Sequence, residues 1–173
     1  MRKASFPPVV APNTRVLILG SLPGQASLTA RRYYAHPQNN FWRLVGAALG
    51  FDLQTLEYEA RLAALLAAGI GLWDTIATAE RQGSLDGALR EIERTPLAEL
   101  TATLPQLRAV AFNGATAARL GRKALAGSSL ALIDLPSSSP ANARLSFAAK
   151  AQSWGRLPDF LDPPLQGSGA VAT

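Results

Sequence analysis

The chain has 173 residues, 48% of them hydrophobic, which is enough to bury the core of one domain. It contains no cysteine and one histidine, which excludes disulfides, thiolate zinc sites and a cysteine nucleophile and argues against a histidine-rich metal site. The 17 basic residues exceed the 12 acidic ones, giving a net charge of +5, and this moderate excess favours an anionic partner such as nucleic acid.

Membrane and export signals are not predicted. The stretch 4–13 carries three prolines and no long apolar run, so it does not fit a signal peptide. The apolar segment 62–73 is too short to span a bilayer and is flanked by Arg61 and Asp74. We therefore expect a soluble cytoplasmic protein with no membrane partner.

The first half of the chain predicts two strands and two helices. Residues 1–14 are rich in proline and are expected to wrap the surface. The run RVLILG at 15–20 is apolar and β-branched, which is typical of a buried strand. Amphipathic segments at 41–50 and 56–69 end in glycine and predict helices, and GIGLWDT at 69–75 predicts a second strand.

The second half repeats the same alternation. The segment TPLAELTATLP at 95–105 predicts a short helix that Thr95 caps, since a proline follows at the first turn. Strands are predicted at 107–114 and 129–136. Helices are predicted at 115–127 and 143–157.

Alternating strands and helices indicate an α/β fold. We expect three layers, α/β/α, with a central four-stranded, mostly parallel sheet covered on both faces. Neither a repeat nor a linker divides the chain, so residues 1–161 are predicted to form one domain. The tail at 162–173 is rich in Gly, Ser and Pro and is expected to be disordered.

Ligands of such sheets bind beyond the carboxyl ends of the strands. The segments expected at this rim are GSLPGQAS (20–27), DTIATAERQGS (74–84), NGAT (113–116) and PSSSPAN (136–142). The segment RRYYAHPQNNFW (31–42) follows the first of them, so its polar and aromatic residues are expected at the same rim.

Several chemistries fit these segments poorly. The first rim segment has neither a Walker loop nor the spacing of a dinucleotide fingerprint. A serine hydrolase is disfavoured, because Ser21 is not in GxSxG and the only possible base, His36, is fifteen residues later. The serine loop, residues 136–142, offers hydroxyls and backbone N–H groups that suit a phosphate, although such a loop taken alone is more often an ordinary serine-rich turn.

Each polar residue of the rim also has a plain structural role open to it. His36 before Pro37 suits a turn, and Tyr34 suits a core or rim aromatic. Asn39 suits the cap of the following helix, and Asp74 suits the cap of the segment after the second strand. The functional interpretation depends on the convergence of all these segments on one rim.

Four motifs in order, LILGSLPG, YYAHPQNNFW, GIGLWDT and LPSSSPAN, resemble those of the uracil-DNA glycosylase superfamily over about residues 15–160. The first two are most similar to the hypoxanthine-DNA glycosylase branch and also resemble the mismatch-specific branch. Several branches carry an Asn or Asp that positions water where this chain has Leu22. The hypoxanthine branch also lacks a polar residue there, so the departure agrees with that branch.

The resemblance implies a DNA glycosylase that flips a deaminated base out of DNA and hydrolyses its N-glycosidic bond in base excision repair. Hypoxanthine is the expected base and uracil a weaker or absent substrate. The resemblance gives the catalytic, water-orienting role to Asn39. It assigns base binding to Tyr34, Asp74, Gly20, Ser21, Leu22, Pro23, Gly24 and His36.

The serine loop is expected to grip the phosphates beside the flipped nucleotide. The DNA-binding set is Pro136, Ser137, Ser138, Ser139, Pro140, Asn142 and Arg144, with further phosphate contacts from Arg31 and Arg32. The side chain that fills the vacated base stack is expected among the residues after Ser139. We expect a monofunctional mechanism, because no lysine lies in the four motifs to form a Schiff base.

Two other functions stay open. One is a catalytically weak lesion-binding protein of the same fold, because Leu22 removes a usual catalytic group. The other is a small phosphoester hydrolase that uses the serine loop, although metal ligands for it are missing from the sequence. We expect a monomer that binds DNA carrying a deaminated base and needs no metal or cofactor.

Overall fold

The computed structural model describes residues 1–161. The strands in this range are β1 (Arg2–Ala4), β2 (Val16–Gly20), β3 (Ile70–Asp74), β4 (Ile76–Glu80), β5 (Arg90–Arg94), β6 (Ala109–Asn113) and β7 (Ala131–Leu135). The α-helices are α1 (Gln25–Ala30), α2 (Phe41–Leu49), α3 (Tyr58–Ala67), α4 (Leu97–Ala102), α5 (Ala115–Ala124) and α6 (Phe147–Trp154), and short 3₁₀ turns form at Asp86–Ala88 and Leu157–Phe160.

The central sheet has four parallel strands in the order β3-β2-β6-β7. These are the four strands that the apolar runs predict. Gly20 pairs with Asp74 across β2 and β3, and Asn113 pairs with Leu135 across β6 and β7. The carboxyl ends of all four strands therefore lie along one edge of the sheet.

Helices cover both faces of this sheet, as the alternation of side chains along β2 shows. Val16 and Ile18 belong to a buried cluster formed with α2, α3 and α6. Leu17 and Leu19 point to the opposite face and pack with residues of α4 and α5. Burial of each such side chain stabilises the fold by about 1.5–3 kcal/mol. The α/β fold with three layers is confirmed.

A second sheet of three antiparallel strands, in the order β1-β4-β5, lies outside the prediction. The sequence analysis placed 74–84 at the rim as a loop, and this is wrong for Ile76–Glu80, which forms β4. The sequence gives little indication of this sheet, because four of the five residues of β5 are charged and exposed and Ile92 alone is half-buried. Residues 1–14, which were expected to wrap the surface, also form sheet contacts. Arg2–Ala4 pairs with β4, and Val9 forms an isolated bridge with Leu72 of β3.

Two helix boundaries differ from the prediction for local reasons. The last helix begins at Phe147 rather than near 143, because the Ser146 hydroxyl accepts from the backbone N–H of Ala149 at 3.2 Å. Thr95 is not the cap of α4, since its hydroxyl instead donates to the backbone oxygen of Asp74 at 2.7 Å. The segment 20–27 also contains the start of α1 at Gln25. The sequence analysis did not predict this helix, because the glycines of the segment have low helix propensity.

Within residues 1–161 no helix combines the length and the apolar character needed to cross a membrane. The tail at 162–173, which was expected to be disordered, lies outside the described residues. The edge formed by the carboxyl ends of β2, β3, β6 and β7 is where the candidate site is found.

Candidate active site

A cavity of about 530 Å³ opens at the carboxyl edge of the central sheet. It receives residues from the ends of β2, β3 and β6 and from the segments that follow β2, β4 and β7. Its lining consists of Gly20, Ser21, Leu22, Pro23, Gly24, Gln25, Ala26, Ser27, Tyr33, Tyr34, His36, Asn39, Asp74, Ser84, Leu85, Asp86, Asn113, Ser137, Ser138, Ser139, Pro140, Ala141 and Asn142.

Of the two further phosphate contacts expected, Arg31 and Arg32, neither lies in this lining, and all but two of the other nominated residues do. The exceptions are Pro136 and Arg144. The backbone oxygen of Pro136 accepts from the indole N–H of Trp154 at 2.9 Å, which anchors the start of the serine loop to α6. Arg144 is exposed beyond the loop. The structure thus brings the nominated base-binding residues and Asn39 to one place.

Asp74 and Tyr34 meet above Gly20. A Cβ atom added to Gly20 would lie 2.8 Å from Asp74 Oδ1 and 3.2 Å from Tyr34 Oη, so a larger residue would collide with the carboxyl group. Asp74 Oδ2 is buried and has no hydrogen-bond partner. The Tyr34 hydroxyl is also buried and makes no hydrogen bond of standard geometry, although the nearby Asn113 side chain opposes the rise of its pKa.

The environment of Asp74 makes its charge unusually sensitive to pH. Burial raises the pKa of Asp74 to about 7, the negative charge of Asp86 adds to the rise, and Arg81 opposes it. Near neutral pH the carboxyl group therefore exchanges between an acceptor-only carboxylate and an acid that can donate one hydrogen bond. A buried, unpartnered group of this kind in a cavity is typical of a functional site.

Tyr34 has a strained backbone, with φ of 54° in the left-handed region. Its ring stacks on Phe41 at 3.8 Å between centroids and 13° between planes. Phe41 is fully buried, so the core holds one face of the Tyr34 ring in place. Burial, and next the charge of Asp74, raise the pKa of Tyr34, which keeps its hydroxyl protonated.

Asn39 has a structural contact as well as a place in the cavity wall. Its Oδ1 accepts from the backbone N–H of Phe41 at 2.9 Å, so it does support the start of α2. A carbonyl oxygen has a second lone pair, and the amide also keeps its NH₂ group. His36 is exposed, and its Nδ1 accepts from the Gln38 backbone N–H at 3.1 Å.

A buried arginine, Arg81, donates hydrogen bonds to the backbone of the loop after β2. The guanidinium of Arg81 donates to the backbone oxygens of Leu22, Pro23 and Gly83. Leu22 is 6% exposed and packs in a cluster that includes Ile76. Arg81 thereby joins two walls of the cavity, the loop after β2 and the loop after β4.

The serine loop is fixed by a side chain from β6. Asn113 Nδ2 donates to the hydroxyl oxygen of Ser138 at 2.9 Å, and Asn113 Oδ1 accepts from the Ser138 backbone N–H at 2.9 Å. The backbone oxygen of Ser138 accepts from the N–H of Asn40 at 3.0 Å, which joins the loop to the start of α2. At the other end, buried Lys150 donates to the backbone oxygen of Asn142 at 2.8 Å.

Several lining residues were not nominated from the sequence. Asn113 ends the third predicted strand and lies in a segment expected at the rim, so the sequence could have nominated it as a site residue. Ser84, Leu85 and Asp86 reach the cavity only after the chain has formed β4 in the small sheet. The Ser21 hydroxyl donates to Asp86 Oδ1 at 2.7 Å, a contact that spans 65 residues of sequence.

Across residues 1–161 no three His, Cys, Asp or Glu side chains gather in a way that could hold a metal ion. The polar lining consists instead of amides, hydroxyls, one histidine and two carboxyl groups. These groups can donate hydrogen bonds to a planar polar ligand and accept hydrogen bonds from it, and they can orient a water molecule. The expectations of a monomer and of a metal-free, cofactor-free protein stay predictions.

The chain is similar to known proteins over most of its length. A family model described as the Uracil DNA glycosylase superfamily matches residues 7–157. A protein of Methanosarcina barkeri named hypoxanthine DNA glycosylase is 46% identical over 114 residues, which cover 66% of this chain and 72% of the relative. A protein of the same name from Methanosarcina acetivorans is 42% identical over 146 residues, which cover 84% of this chain and 92% of the relative.

A solved structure has the same fold. The solution NMR structure of a Methanosarcina acetivorans protein presented as a candidate uracil DNA glycosylase superposes with a TM-score of 0.82 and 40% identity. The match covers 91% of this chain and 96% of that one. The family that the four motifs resemble is therefore confirmed, and the chain belongs to the uracil DNA glycosylase superfamily.

Proposed function

We propose that this DNA glycosylase removes hypoxanthine from deoxyinosine in DNA, acting on a base turned out of the duplex into the cavity. The observation that carries the proposal is Asp74, whose buried Oδ2 lacks a hydrogen-bond partner in the wall of the cavity. The two Methanosarcina relatives described above are named for the same base. Repair of deaminated DNA is the process that this reaction would serve.

The base preference follows from the hydrogen bonds that a carboxylate can make. An ionised Asp74 only accepts, which suits the N1–H that hypoxanthine presents. Uracil also presents an N–H group, but acceptor carbonyls flank it on both sides, and a carboxylate cannot donate to either. Selection against a base that leaves buried groups unpaired can be large. We therefore expect uracil to be a poor substrate.

Asn39 is proposed to orient the attacking water. Its bond to the Phe41 N–H fixes the amide, and the second lone pair of Oδ1 is then available to accept from water. The water oxygen bonds to C1′ of the deoxyribose, and the C1′–N9 bond breaks with its electron pair on the base. The base takes up a proton, the water loses one, and an abasic site is left. Positioning of the reactants and stabilisation of the charges that develop as the C1′–N9 bond breaks both lower the barrier.

The serine loop is proposed to hold the phosphates beside the flipped nucleotide. Ser137 and Ser139 hydroxyls accept from the loop N–H groups of Ser139 and Ala141, both at 3.2 Å. Each hydroxyl keeps its own proton for a phosphate oxygen. Ser138 is 1% exposed and bound to Asn113, so it supports the loop rather than the ligand.

A monofunctional mechanism is proposed, in which the enzyme leaves the DNA strand intact. Of the described residues that line the cavity, none is a lysine. The buried Lys150 lies outside the lining and donates to the Asn142 backbone oxygen. A Schiff base with the sugar would need an unprotonated amine at C1′, and the lining offers none.

The proposal is tested on a duplex with a single deoxyinosine. Glycosylase action gives strand breaks only after treatment with alkali, because an abasic site is alkali-labile. A lesion-binding protein without activity would bind the duplex and give no breaks with or without alkali. A phosphoester hydrolase would break the strand before alkali is added. Either of the last two results would contradict the proposed function.

A further inference from the structure

We propose that Lys150, a buried lysine behind the serine loop, supplies a positive charge that attracts the DNA phosphate held by this loop. This inference rests on the proposed function, because it concerns the phosphates beside the flipped nucleotide. The role differs from that of the exposed arginines, since Lys150 acts through the loop and does not touch DNA. It makes the serine loop selective for a negatively charged backbone.

The burial of Lys150 is unusual for a lysine. The chain has three lysines and 14 arginines. Lys150 is 3% exposed, whereas Lys123 lies on the surface of α5. Burial lowers the pKa of Lys150, because removal of an ammonium group from water disfavours its charged form. Charged lysines are seldom buried unless they are paired, so the free protein bears a cost at this position.

The charge of Lys150 has no negative partner in the part of the chain that the structure describes. No carboxylate of residues 1–161 forms an ion pair with it. Asp134 of β7, a strand that packs against α6, pairs instead with Arg122 at 3.0 Å. The Lys150 ammonium group donates to the backbone oxygen of Asn142 at 2.8 Å, which satisfies one of its three donors but leaves the charge uncompensated.

The start of α6 adds to the positive potential at the same place. Lys150 is the fourth residue of this helix, one turn after its cap Ser146. The N-terminus of a helix has a partial positive charge, so a cation is unfavourable there and an anion is favourable. The serine loop ends at Asn142, shortly before this end of the helix. An anion on the serine loop therefore favours both the helix and Lys150.

The serine loop lies between Lys150 and the cavity. Asn142 accepts from Lys150 and lines the cavity, whereas Lys150 is absent from the lining. Ser137 and Ser139, whose hydroxyls are proposed to bind phosphate oxygens, belong to the same loop. Its central residue, Ser138, is 1% exposed. A packed segment of this kind screens charges less than water does, so the attraction between Lys150 and a phosphate is strengthened.

The alternative is a purely structural role for Lys150. In that case its bond to Asn142 only holds the end of the loop, and any buried donor suffices. The two roles give opposite expectations for Lys150→Gln, which keeps an amide donor and removes the charge. Lys150→Met removes both the donor and the charge, so the two variants together separate the hydrogen bond from the electrostatic attraction.

The test compares single-turnover excision of hypoxanthine from two duplexes. One has native phosphates on both sides of the deoxyinosine, and the other has neutral methylphosphonates at these two positions. We expect Lys150→Gln to lower the ratio of the native rate to the neutral rate by about tenfold, the scale of one charge pair near a protein surface. Lys150→Met should lower it equally. The loss should persist at high salt, because a buried charge is screened less than an exposed one.

The other two lysines serve as controls. Lys123→Gln removes the same charge from the exposed last turn of α5. Lys3→Gln removes a lysine that is also buried but donates to the backbone oxygen of Gly83, in the loop after β4, at 2.5 Å. Both variants should keep the wild-type ratio. The free Lys150→Gln protein should melt at or above the wild-type temperature, because it no longer buries a charge.

The outcomes separate this inference from the proposed function. A wild-type ratio in Lys150→Gln, a loss in Lys150→Met alone, or an equal loss in Lys3→Gln would each overturn the role of Lys150 while excision of hypoxanthine still stands. The same holds if the wild type acts equally fast on both duplexes, because no phosphate then feels the charge. Absence of excision from the native duplex by the wild type would instead overturn the proposed function and this inference with it.

Discussion

At the scale of single residues, the fold alters the acid–base chemistry of Asp74 at the centre of the candidate site. Its carboxyl group ends β3, is 3% exposed and lies against Gly20, which has no side chain to displace it. The cost of ionising a buried carboxyl in the native state is the cause of its raised pKa. This cost lowers the stability of the ionised protein and places the change of charge at the site near neutral pH.

The titration of Asp74 predicts how stability depends on pH. An ordinary aspartate ionises near 3.8, whereas Asp74 keeps its proton in the native state up to a pKa of about 7. Between these values the native state binds more protons than the unfolded state, so the free energy of unfolding should fall by a few kcal/mol as pH rises, and should then level off. Chemical denaturation from pH 4 to 8 measures the slope.

Two variants check the assignment of that slope. Asp74→Asn should remove it, whereas Asp134→Asn, which changes an exposed carboxylate, should retain it. The excision rate should rise with pH through about 7, because the ionised carboxylate accepts from N1–H. A rate that falls over this range would mean that the protonated acid is the active form.

Asn39 is predicted to have two separable roles. Asn39→Ala removes the acceptor for the Phe41 N–H, so stability should fall by about 1 kcal/mol. It also removes the group proposed to orient water, so the single-turnover rate should fall by roughly a hundredfold or more with lesion binding retained. Asn40→Ala is the matched control, because Asn40 lies outside the cavity lining. Loss of stability with full activity would reduce Asn39 to a structural residue.

At the scale of elements, the cavity depends on loops that are joined to each other by buried polar contacts. Asn113 joins β6 to the serine loop, and Arg81 joins the end of β4 to the loop after β2. A buried donor or acceptor left without a partner costs about 1–3 kcal/mol. These loops should therefore move as a group when one of the joining residues is removed.

Arg81→Met is predicted to affect both stability and the pH profile. The backbone oxygens of Leu22 and Pro23 lose their buried donor, whereas that of Gly83 keeps Lys3, so the melting temperature should fall. Arg81 also opposes the rise in the pKa of Asp74, so its loss should move the midpoint of the excision pH profile upward.

The control for Arg81 lies on the neighbouring strand. Arg90 is exposed and donates to the backbone oxygens of Gly87 and Leu89, so Arg90→Met makes the same change of charge at an exposed position. It should leave the pH midpoint in place. A lower melting temperature in Arg81→Met with an unmoved midpoint would mean that Arg81 only supports the loops.

The sequence predicts the elements with strong apolar patterns and fails where tertiary contacts decide. The four central strands are mostly apolar, so their ends and the rim at Gly20 and Asp74 could be anticipated. The strand Arg90–Arg94 is almost wholly charged, and only its pairing with β4 makes it a strand. Leu85 and Asp86 arrive through this small sheet, so no local pattern places them at the site.

Gly121 in α5 is a second case in which a tertiary contact, and not the local sequence, explains a residue. Its low helix propensity weakens the prediction for 115–127, although α5 does form there. A Cβ at Gly121 would lie 2.2 Å from the Phe112 ring, so the helix approaches β6 too closely for any side chain. The reason for this glycine lies in the packing and is not visible in the local sequence.

At the scale of the whole molecule, the net charge of +5 predicts salt-dependent binding to DNA. Each phosphate neutralised by an arginine or lysine contributes about −0.9 to the log-log slope of affinity against salt. Arg31, Arg32 and Arg144 are exposed and are expected to supply such contacts, so replacing each by Ala should reduce the slope by about one. Arg122→Ala, which breaks a pair with Asp134, is the control. A flat salt response of the wild type would contradict a phosphate interface.

The central claim is that the cavity accepts hypoxanthine in preference to uracil. The most direct test is single-turnover release of the free base from matched duplexes that carry either deoxyinosine or deoxyuridine, followed by chromatography of the released base. We expect hypoxanthine to be released faster, and Asp74→Asn to reduce the preference because an amide can donate to a uracil carbonyl. Faster release of uracil by the wild type, or no release of hypoxanthine, would contradict the account.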